Sequence, residues 1–436
     1  MSHYKPYPAY RDSGVEWIGQ VPSKWEVKPI KIVATFNDDV LPDSTAADTP
    51  ISYVDISSVS YAAGIGSTEE MLFGNAPSRA RRKAKVGDVV ISTVRTYLKA
   101  VAAVDAAHAD CVYSTGFAVL RSRTGHIEPN FLKWLALNEL FIQSVESHSE
   151  GLSYPAINAP ELVNLKTVMP SLPEQATIAV TIDRETARFD ALIAKKTRFI
   201  ELLKEKRQAL ITHAVTKGLN PKAKMKASGV EWIGEVPEHW VAIKFNHVAR
   251  VTEGLVDPKA HPYREMVLIA PNHIESGTGK ILGLETAVFQ NAESGKYTCK
   301  KGAVIYSKIQ PALAKVAIAP CDCLCSADMY PMDCTDRTYP EWLFYLMLSP
   351  PFTSWAILES DRVAMPKINR ESLADLRVFL PPMDEQLAAV AWLKAQVEKL
   401  EIVSLKTQHS IDLLKERRAA FITAAVTGQI DLRESA

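Results

Sequence analysis

Residues 202–216 read LLKEKRQALITHAVT, and the chain repeats this stretch at residues 413–427 as LLKERRAAFITAAVT. Both copies belong to longer runs, 173–216 and 384–427, which have no glycine and no proline after the opening turn and are rich in strong helix formers. Each run therefore predicts one long helix. At about 1.5 Å per residue such a helix reaches roughly 65 Å, which is longer than a single globular core.

An apolar stripe runs along each predicted helix, with residues at steps of three and four, the spacing of a coiled-coil seam. The stripes comprise Ile178, Ile182, Phe189, Leu192, Ile200, Leu203, Leu210 and Ala214 in the first helix and Ala389, Leu393, Leu400, Val403, Ile411, Leu414, Phe421 and Ala425 in the second. A helix this long needs a partner for its stripe, and the matching helix is the nearest candidate. Gly218 and Gly428 predict where the two helices stop.

The duplication extends beyond the helices. Residues 13–25 read SGVEWIGQVPSKW, and residues 228–240 read SGVEWIGEVPEHW. We interpret the chain as two tandem copies of one unit, each large enough to hold its own core. Between opener and helix, short strand-like runs such as KVGDVVISTV at 85–94 and KKGAVIYSKI at 300–309 alternate with turn residues. Each copy is thus predicted to be a mixed, mostly-β segment followed by a long helix, an α+β fold class.

The predicted boundaries follow from this pattern. The mostly-β domains are assigned to residues 1–170 and 219–381, the central long helix to 171–218 and the C-terminal long helix to 382–436. Short single helices are predicted at 130–141 and 341–352, and a strand is predicted at 51–59.

Composition limits the class of protein. The chain has 436 residues, 47% of them hydrophobic, and a formal net charge of zero. No window approaches eighteen uncharged apolar residues, and the first residues lack the pattern of a signal peptide, so we expect a cytoplasmic protein. Cys321, Cys323 and Cys325 are spaced by two rather than as C-x-x-C, which favours buried thiols on one face of a strand over a metal site.

Catalytic motifs are weak. AAGIGS at 62–67 and SPPF at 349–352 each resemble a fragment of an adenine methyltransferase, but they lie in different copies. The first is followed by two glutamates rather than by a helix, and it fits a hairpin turn better. The sequence contains no P-loop, H-E-x-x-H or G-x-S-x-G motif. We therefore predict no catalytic residue and no metal ligand.

Basic residues concentrate in SRARRKAK at 78–85. The cations of this segment are Arg79, Arg81, Arg82, Lys83 and Lys85. Two interpretations stay open for them, contact with nucleic-acid phosphates and a solvated loop.

A second group of polar residues follows a predicted strand in each copy. It comprises Arg95, Tyr97 and Lys99 in the first copy and Lys308, Gln310 and Lys315 in the second. Arginine, lysine and glutamine bind the edges of guanine and adenine through paired hydrogen bonds. These residues differ between the two copies, whereas the surrounding framework does not. Two domains that read different DNA sequences would show this pattern, and so would sequence drift after duplication.

Several motifs together resemble the specificity subunit of type I restriction-modification systems. They are the repeated opener, GDVVIS at 87–92, LPEQ at 172–175 and the closing ITAAVTGQIDLR at 422–433. The resemblance covers essentially the whole chain. The second copy departs from it at Ala303, which replaces the aspartate of G-D-V, and at its helix start, where Pro382-Met383-Asp384 replaces the first copy's Ser171-Leu172-Pro173.

The resemblance implies two target recognition domains, each reading one half of a split double-stranded DNA site, joined by two long helices that pair as an antiparallel coiled coil and fix the gap. It also implies two modification subunits, which bring S-adenosylmethionine and methylate adenine, and restriction subunits that use ATP and magnesium. The chain itself would then carry no cofactor. Partner subunits that share the phosphate contacts would account for its zero net charge. Two alternatives remain, a duplicated coiled-coil adaptor that binds only protein and a solitary adenine methyltransferase.

Overall fold

A computed structural model of the chain describes residues 4–61, 63–230, 232–360 and 366–433. The chain divides into two compact units. Unit 1 comprises Met1–Lys196 and His409–Ala436, and unit 2 comprises Thr197–Gln408. Each long helix therefore contributes one part to each unit.

Unit 1 contains two main sheets and several two-stranded ones. Its strands are β1 (Tyr10–Asp12), β2 (Gln20–Pro22), β3 (Glu26–Pro29), β4 (Ala34–Phe36), β5 (Asp39–Val40), β6 (Pro50–Val54), β7 (Val59–Ser60), β8 (Gly64–Ile65), β9 (Glu69–Leu72), β10 (Ala80–Lys83), β11 (Val89–Ser92), β12 (Val101–Ala103), β13 (Val112–Ser114), β14 (Phe117–Ser122) and β15 (Lys166–Met169). Its helices are α1 (Ile30–Val33), α2 (Pro129–Ala136), α3 (Glu139–Ser147), α4 (Ala159–Leu162), the first part of the long helix α5 (Leu172–Lys217) and the last part of the long helix α9 (Met383–Val426). The main sheets have the orders β12-β11-β14-β4 and β5-β10-β13-β6-β9, and β6 and β13 are parallel.

Unit 2 repeats this strand order with fewer edge strands. Its strands are β16 (Met225–Ala227), β17 (Glu235–Pro237), β18 (Val241–Lys244), β19 (Ala249–Val251), β20 (Leu268–Ile269), β21 (Lys296–Cys299), β22 (Val304–Ser307), β23 (Val316–Ile318), β24 (Cys323–Ser326), β25 (Met329–Cys334) and β26 (Arg377–Leu380). Its helices are α6 (Pro340–Leu348), α7 (Pro350–Ser360), α8 (Arg370–Asp375), the last part of α5 and the first part of α9 (Met383–Val426). The order β23-β22-β25-β19 matches the four-stranded sheet of unit 1, and β20-β24-β21 again contains one parallel pair.

The α+β class and the two long helices are confirmed. Gly218 and Gly428, both with φ near +70°, follow the ends of α5 and α9, as glycine in a left-handed stop position does. A buried glutamine secures the start of each helix. The Gln175 side chain accepts a hydrogen bond from the Glu128 amide and donates one to the Pro170 carbonyl, both at 2.9 Å. Gln386 likewise bonds Tyr339 and Pro381, which explains the glutamine that the sequence repeats at this position.

Both long helices take part in the core of each unit. In unit 1 the buried cluster includes Ile178 near the start of α5 and Phe421 near the end of α9. In unit 2 it includes Ile211 near the end of α5 and Leu393 near the start of α9. Within each unit, the beginning of one helix thus shares a core with the end of the other.

Two details differ from the sequence predictions. The predicted single helices at 130–141 and 341–352 are helix pairs, α2 with α3 and α6 with α7. In the first pair the Asn138 side chain accepts the Leu140 amide hydrogen at 3.0 Å and so starts a new helix. The predicted strand 51–59 ends at Val54, because Asp55 accepts the Ser57 amide hydrogen and begins a 3₁₀ turn.

Two other sequence interpretations agree with the structure. Cys323 and Cys325 are buried on β24, and neither is in a disulfide. The G-x-G fragment forms the β7–β8 hairpin rather than a cofactor loop, although Ala62 lies outside the described residues.

Candidate nucleic-acid interface

One loop of unit 1 has an unusual backbone. We call it loop 1 (residues 94–100), which follows β11. Arg95 at φ 51° and Lys99 at φ 50° occupy the left-handed region on either side of the 3₁₀ turn Thr96–Leu98. For residues other than glycine this region costs roughly 1–2 kcal/mol each. Strain of this kind collects at functional sites, where the surrounding structure must hold it in place.

Loop 2 (residues 309–315) follows β22 and repeats that backbone in unit 2. Gln310 at φ 48° and Ala314 at φ 43° flank the 3₁₀ turn Pro311–Leu313. Gln310 corresponds to Arg95, and Ala314 corresponds to Lys99. The sequence reasoning paired these regions, but it had no signal for the left-handed geometry, since neither loop contains a glycine.

In loop 1 one side chain is a buried anchor, and Arg95 and Tyr97 are exposed. Thr96 is buried, and its hydroxyl donates to Ser149 Oγ at 2.9 Å. Tyr97 is 54% exposed. The Arg95 guanidinium lies 5.2 Å from the ring centroid of Tyr154, a residue that the sequence reasoning missed. Lys99 Nζ is 3.7 Å from a carboxylate oxygen of Glu139.

Loop 2 divides its side chains in the same way. Pro311 is buried, and Gln310 is exposed. Lys308 lies just before the loop, with its ammonium 5.5 Å from the ring centroid of Tyr330. Lys315 donates to the Pro271 carbonyl at 2.6 Å, so its ammonium is already used inside the unit.

A neighbouring segment fixes each loop through main-chain hydrogen bonds. The Ile157 amide donates to the Thr93 carbonyl at 2.8 Å, and the Ile368 amide donates to the Lys308 carbonyl at 2.9 Å. The matching framework thus holds two different sets of exposed side chains.

The basic segment 78–85 contains strand β10 of the five-stranded sheet rather than a solvated loop. Arg79 donates to Tyr53 and to Asp55, the latter at 2.7 Å. The Arg81 guanidinium lies 4.7 Å from the Phe73 ring centroid. The remaining cations are Arg82, Lys83 and Lys85, of which Lys83 is exposed, Lys85 lies 3.5 Å from Asp39, and Arg82 is half-buried with its pKa lowered by burial.

The described residues lack both a metal-binding cluster and a membrane-spanning helix. They contain no cluster of three or more histidine, cysteine, aspartate or glutamate side chains arranged to hold a metal ion. None of the helices in the described ranges is both long enough and apolar enough to cross a bilayer.

Sequence comparisons identify relatives. Residues 237–413 match the family described as the type I restriction modification DNA specificity domain. The EcoDI type I specificity subunit of Escherichia coli is 30% identical over 328 residues, covering 71% of this chain and 72% of the relative. The putative MjaX type I specificity subunit of Methanocaldococcus jannaschii is 22% identical over 440 residues, covering 95% of this chain and 96% of the relative.

Solved structures share the fold. A chain from work on complex assembly and conformational transition of the type I R-M system superposes with a TM-score of 0.71 at 20% identity, covering 94% of this chain and 99% of its own length. The HsdS subunit of Thermoanaerobacter tengcongensis gives 0.53 at 22% identity, covering 94% and 98%. The α+β architecture is therefore the one found in type I restriction-modification subunits.

Fold and sequence together define a DNA-recognition protein without a catalytic role of its own. The chain belongs to the family of type I restriction enzyme specificity subunits. It is the non-catalytic subunit that gives such a complex its DNA specificity, and nothing in the comparisons supports a protein-only adaptor or a solitary methyltransferase.

Proposed function

We propose that the chain reads a split double-stranded DNA target, one half-site with each copy of its repeat. The reader domains are residues 1–170 and 219–381, and the helical segments are 171–218 and 382–436. The observation that carries this proposal is the pair of loops with one backbone and different exposed side chains, Arg95 in loop 1 and Gln310 in loop 2. Both side chains are of the types that pair with purine edges.

The long helices act as an antiparallel coiled coil that spaces the two readers. Support comes from the cores of the units, in which the start of each helix lies with the end of the other. An ion pair supports the same register, since Arg418 Nε lies 2.9 Å from Asp190 Oδ1 within unit 1.

Two modification subunits and the restriction subunits assemble with this chain, and they supply S-adenosylmethionine, ATP and magnesium. Support comes from the family and from the net charge of zero, which leaves most DNA neutralisation to partners. Because the substrate is double-stranded DNA, we expect the complex to work in the cytoplasm. Calorimetry of the isolated chain should detect no binding of S-adenosylmethionine, and micromolar binding would contradict this assignment.

The cations of β10 contact phosphates beside the first half-site. Arg81 and Lys83 are the best candidates, since Arg79 is held by Asp55 and Arg82 is half-buried. Loss of one phosphate contact lowers the salt dependence of binding by about 0.9 in log–log slope and weakens binding to all sequences. Lys83→Ala should show this, with Lys166→Ala, an exposed cation on β15, as the matched control.

The decisive experiment assembles the full chain with modification subunits and maps the adenines methylated in genomic DNA. Exchange of residues 94–100 for those of a related subunit should change one half of the motif and leave the other half and the gap unchanged. A change in both halves, or in neither, would contradict the assignment of one half-site to loop 1.

A further inference from the structure

We propose that Lys308, Lys367 and Arg370 form a phosphate-binding cluster that only unit 2 has, and that it places loop 2 on the DNA backbone. This inference rests on the proposed function of loop 2. In this proposal, three residues outside loop 2 position the loop on the DNA backbone. In unit 1 other residues have that role.

Arg370 has a fixed and partly exposed guanidinium. It lies 5.5 Å and 5.6 Å from the ring centroids of Tyr297 and Tyr330. Its Nη2 donates to the Tyr297 hydroxyl at 3.0 Å and to the Thr252 carbonyl at 3.2 Å. Among the described residues, the carboxylate within ion-pair distance of it belongs to Glu253, whose side chain is 86% exposed, and such surface pairs are weak and easily exchanged.

The other two cations lie on the frame of loop 2. Lys308 immediately precedes the loop and faces the same Tyr330 ring as Arg370. Lys367 is exposed, and its main chain forms an isolated β-bridge with Ile309, the first residue of loop 2. Because Tyr330 is 5% exposed and donates to the Ile368 carbonyl at 3.1 Å, the ring is a rigid support for both neighbouring cations.

Unit 1 has no cation at any of the three matching positions. The segment PAIN at 155–158 aligns with PKIN at 366–369, so Ala156 and Ala159 stand where unit 2 has Lys367 and Arg370. Thr93 stands in the place of Lys308.

At two positions within the loops the difference is reversed, because unit 1 has the charged residues. Arg95 and Lys99 of loop 1 correspond to Gln310 and Ala314 of loop 2, which carry no charge. Each unit therefore has cations at its loop. Unit 1 has Arg95 and Lys99 on the loop, whereas the loop cation of unit 2, Lys315, is bound to the Pro271 carbonyl and the proposed phosphate-binding cations lie outside the loop. A frame cation reaches the DNA backbone while leaving the loop tip free for bases, since phosphate contacts set position and base contacts set sequence.

The test uses the full chain assembled with modification subunits and a DNA duplex that contains the mapped target. We measure affinity at several salt concentrations for the variant Lys367→Ala/Arg370→Gln. Its log–log salt slope should fall by about 2, because each phosphate contact contributes about 0.9. Affinity should fall equally for target and non-target duplexes, and the methylated motif should stay the same.

Three controls make the result specific. Lys222→Ala/Lys224→Gln removes the same charge from an exposed segment of unit 2 and should leave the slope unchanged. The single variant Arg370→Lys should keep most of the wild-type salt slope, because it keeps the charge. If the double variant fails to fold, as a melting curve would show, Lys367→Ala alone tests the proposal through a loss of about 1 in slope.

An unchanged slope in the folded double variant, or an altered motif, would overturn the cluster. The variant Gln310→Arg tests the proposed function of loop 2 separately from the cluster. If that variant leaves the second half-site unchanged, loop 2 is not the reader; if it changes the half-site while the cluster variant keeps the full slope, only the cluster is wrong.

Discussion

Arg95 and Gln310 have the same backbone conformation in the two copies of the repeat, with φ and ψ of 51° and 49° for Arg95 and 48° and 58° for Gln310. Each begins the 3₁₀ turn after the matching strand of a four-stranded sheet. Since the framework accepts either residue here, the side chain can change without a change of fold. This is the property required of a position that determines DNA sequence specificity.

Exchange of these two residues should therefore alter specificity without loss of stability. Arg95→Gln should change the preferred base in the first half-site only, and Gln310→Arg in the second half-site only, with a cost of about 1–3 kcal/mol for the original base. Methylation mapping with the assembled complex measures both. If Arg95→Gln leaves every methylated site and its rate as before, Arg95 does not contact a base.

The sequence was sufficient for the parts of the fold that repeat strong local signals. The long helices follow from uninterrupted helix formers, and the glycines that end them and the glutamines that begin them appear twice. The buried position of Cys323 and Cys325 follows from their alternation on a strand.

The candidate site could be predicted only in part. Loops 1 and 2 were found through their charged and amide side chains, but a left-handed residue that is not glycine leaves no mark in one sequence. Arg370 was missed because its partners Tyr297 and Tyr330 are distant in the chain and come together only through the sheets. β10 was unrecognised because its side chains are almost all charged, whereas typical strands are apolar or alternating.

Removal of Arg121 alone should strongly destabilise unit 1, because it leaves the buried Asp88 without its ion-pair partner. Arg121 donates to both carboxylate oxygens of Asp88, which is 3% exposed. Unit 2 has Ala303 and Asp333 at the matching positions, so the aspartate and the arginine are absent together. Arg121→Leu leaves the buried carboxylate of Asp88 without its ion-pair partner. It should lower the free energy of unfolding of unit 1 by about 3–5 kcal/mol, as measured by urea unfolding.

Arg188→Ala is the matched control, because the Arg188 side chain is 68% exposed in its pair with Glu185 and the pair should contribute less than about 1 kcal/mol. The double variant Asp88→Ala/Arg121→Leu should lose less stability than the two single losses combined. A loss below 1 kcal/mol in Arg121→Leu would show that Asp88 does not depend on this partner.

Acid titration gives an independent reading of the same cluster. A hydrogen bond from Arg121 holds the pKa of Asp39 below its ordinary value of 3.8. Because the pKa of Asp39 is lower in the folded than in the unfolded protein, its carboxylate stabilises the fold at pH values above the ordinary pKa. This contribution is lost as the pH falls below about 4. The acid-induced loss should therefore be smaller in Arg121→Leu than in the wild type, and an equal loss would contradict the assigned cause.

The long helices should set the gap between the two half-sites. Insertion of one heptad after Lys196 and another after Gln408 leaves the contacts within each unit unchanged, since these residues end the segments that belong to one unit. Seven residues add about 10 Å of helix, close to three base pairs at about 3.4 Å each. Methylation mapping should show the same half-sites with a longer gap, and an active variant with the original gap would show that another feature sets it.

A fragment of residues 1–225 should form a homodimer through the same helix pairing. The fragment lacks His409–Ala436, which belong to unit 1 and contribute Phe421, Ile422 and Ala425 to its core. The sequence repeat places Leu210, Ile211 and Ala214 at the matching positions of α5. A second copy of the fragment can therefore supply the missing part of the core, and a two-fold dimer satisfies both copies at once.

Light scattering at tens of micromolar should report the dimer, and with modification subunits the fragment should methylate an inverted repeat of the first half-site. Ile211→Asp is the critical variant, because Ile211 is fully buried and a carboxylate there would have to be desolvated in the seam. It should yield monomers, whereas Lys204→Asp on the exposed side of α5 should still dimerise. Leucine in place of Phe421 fills less volume, so we expect weaker pairing than in the intact chain. A folded fragment that stays monomeric with modification subunits present would refute the antiparallel pairing.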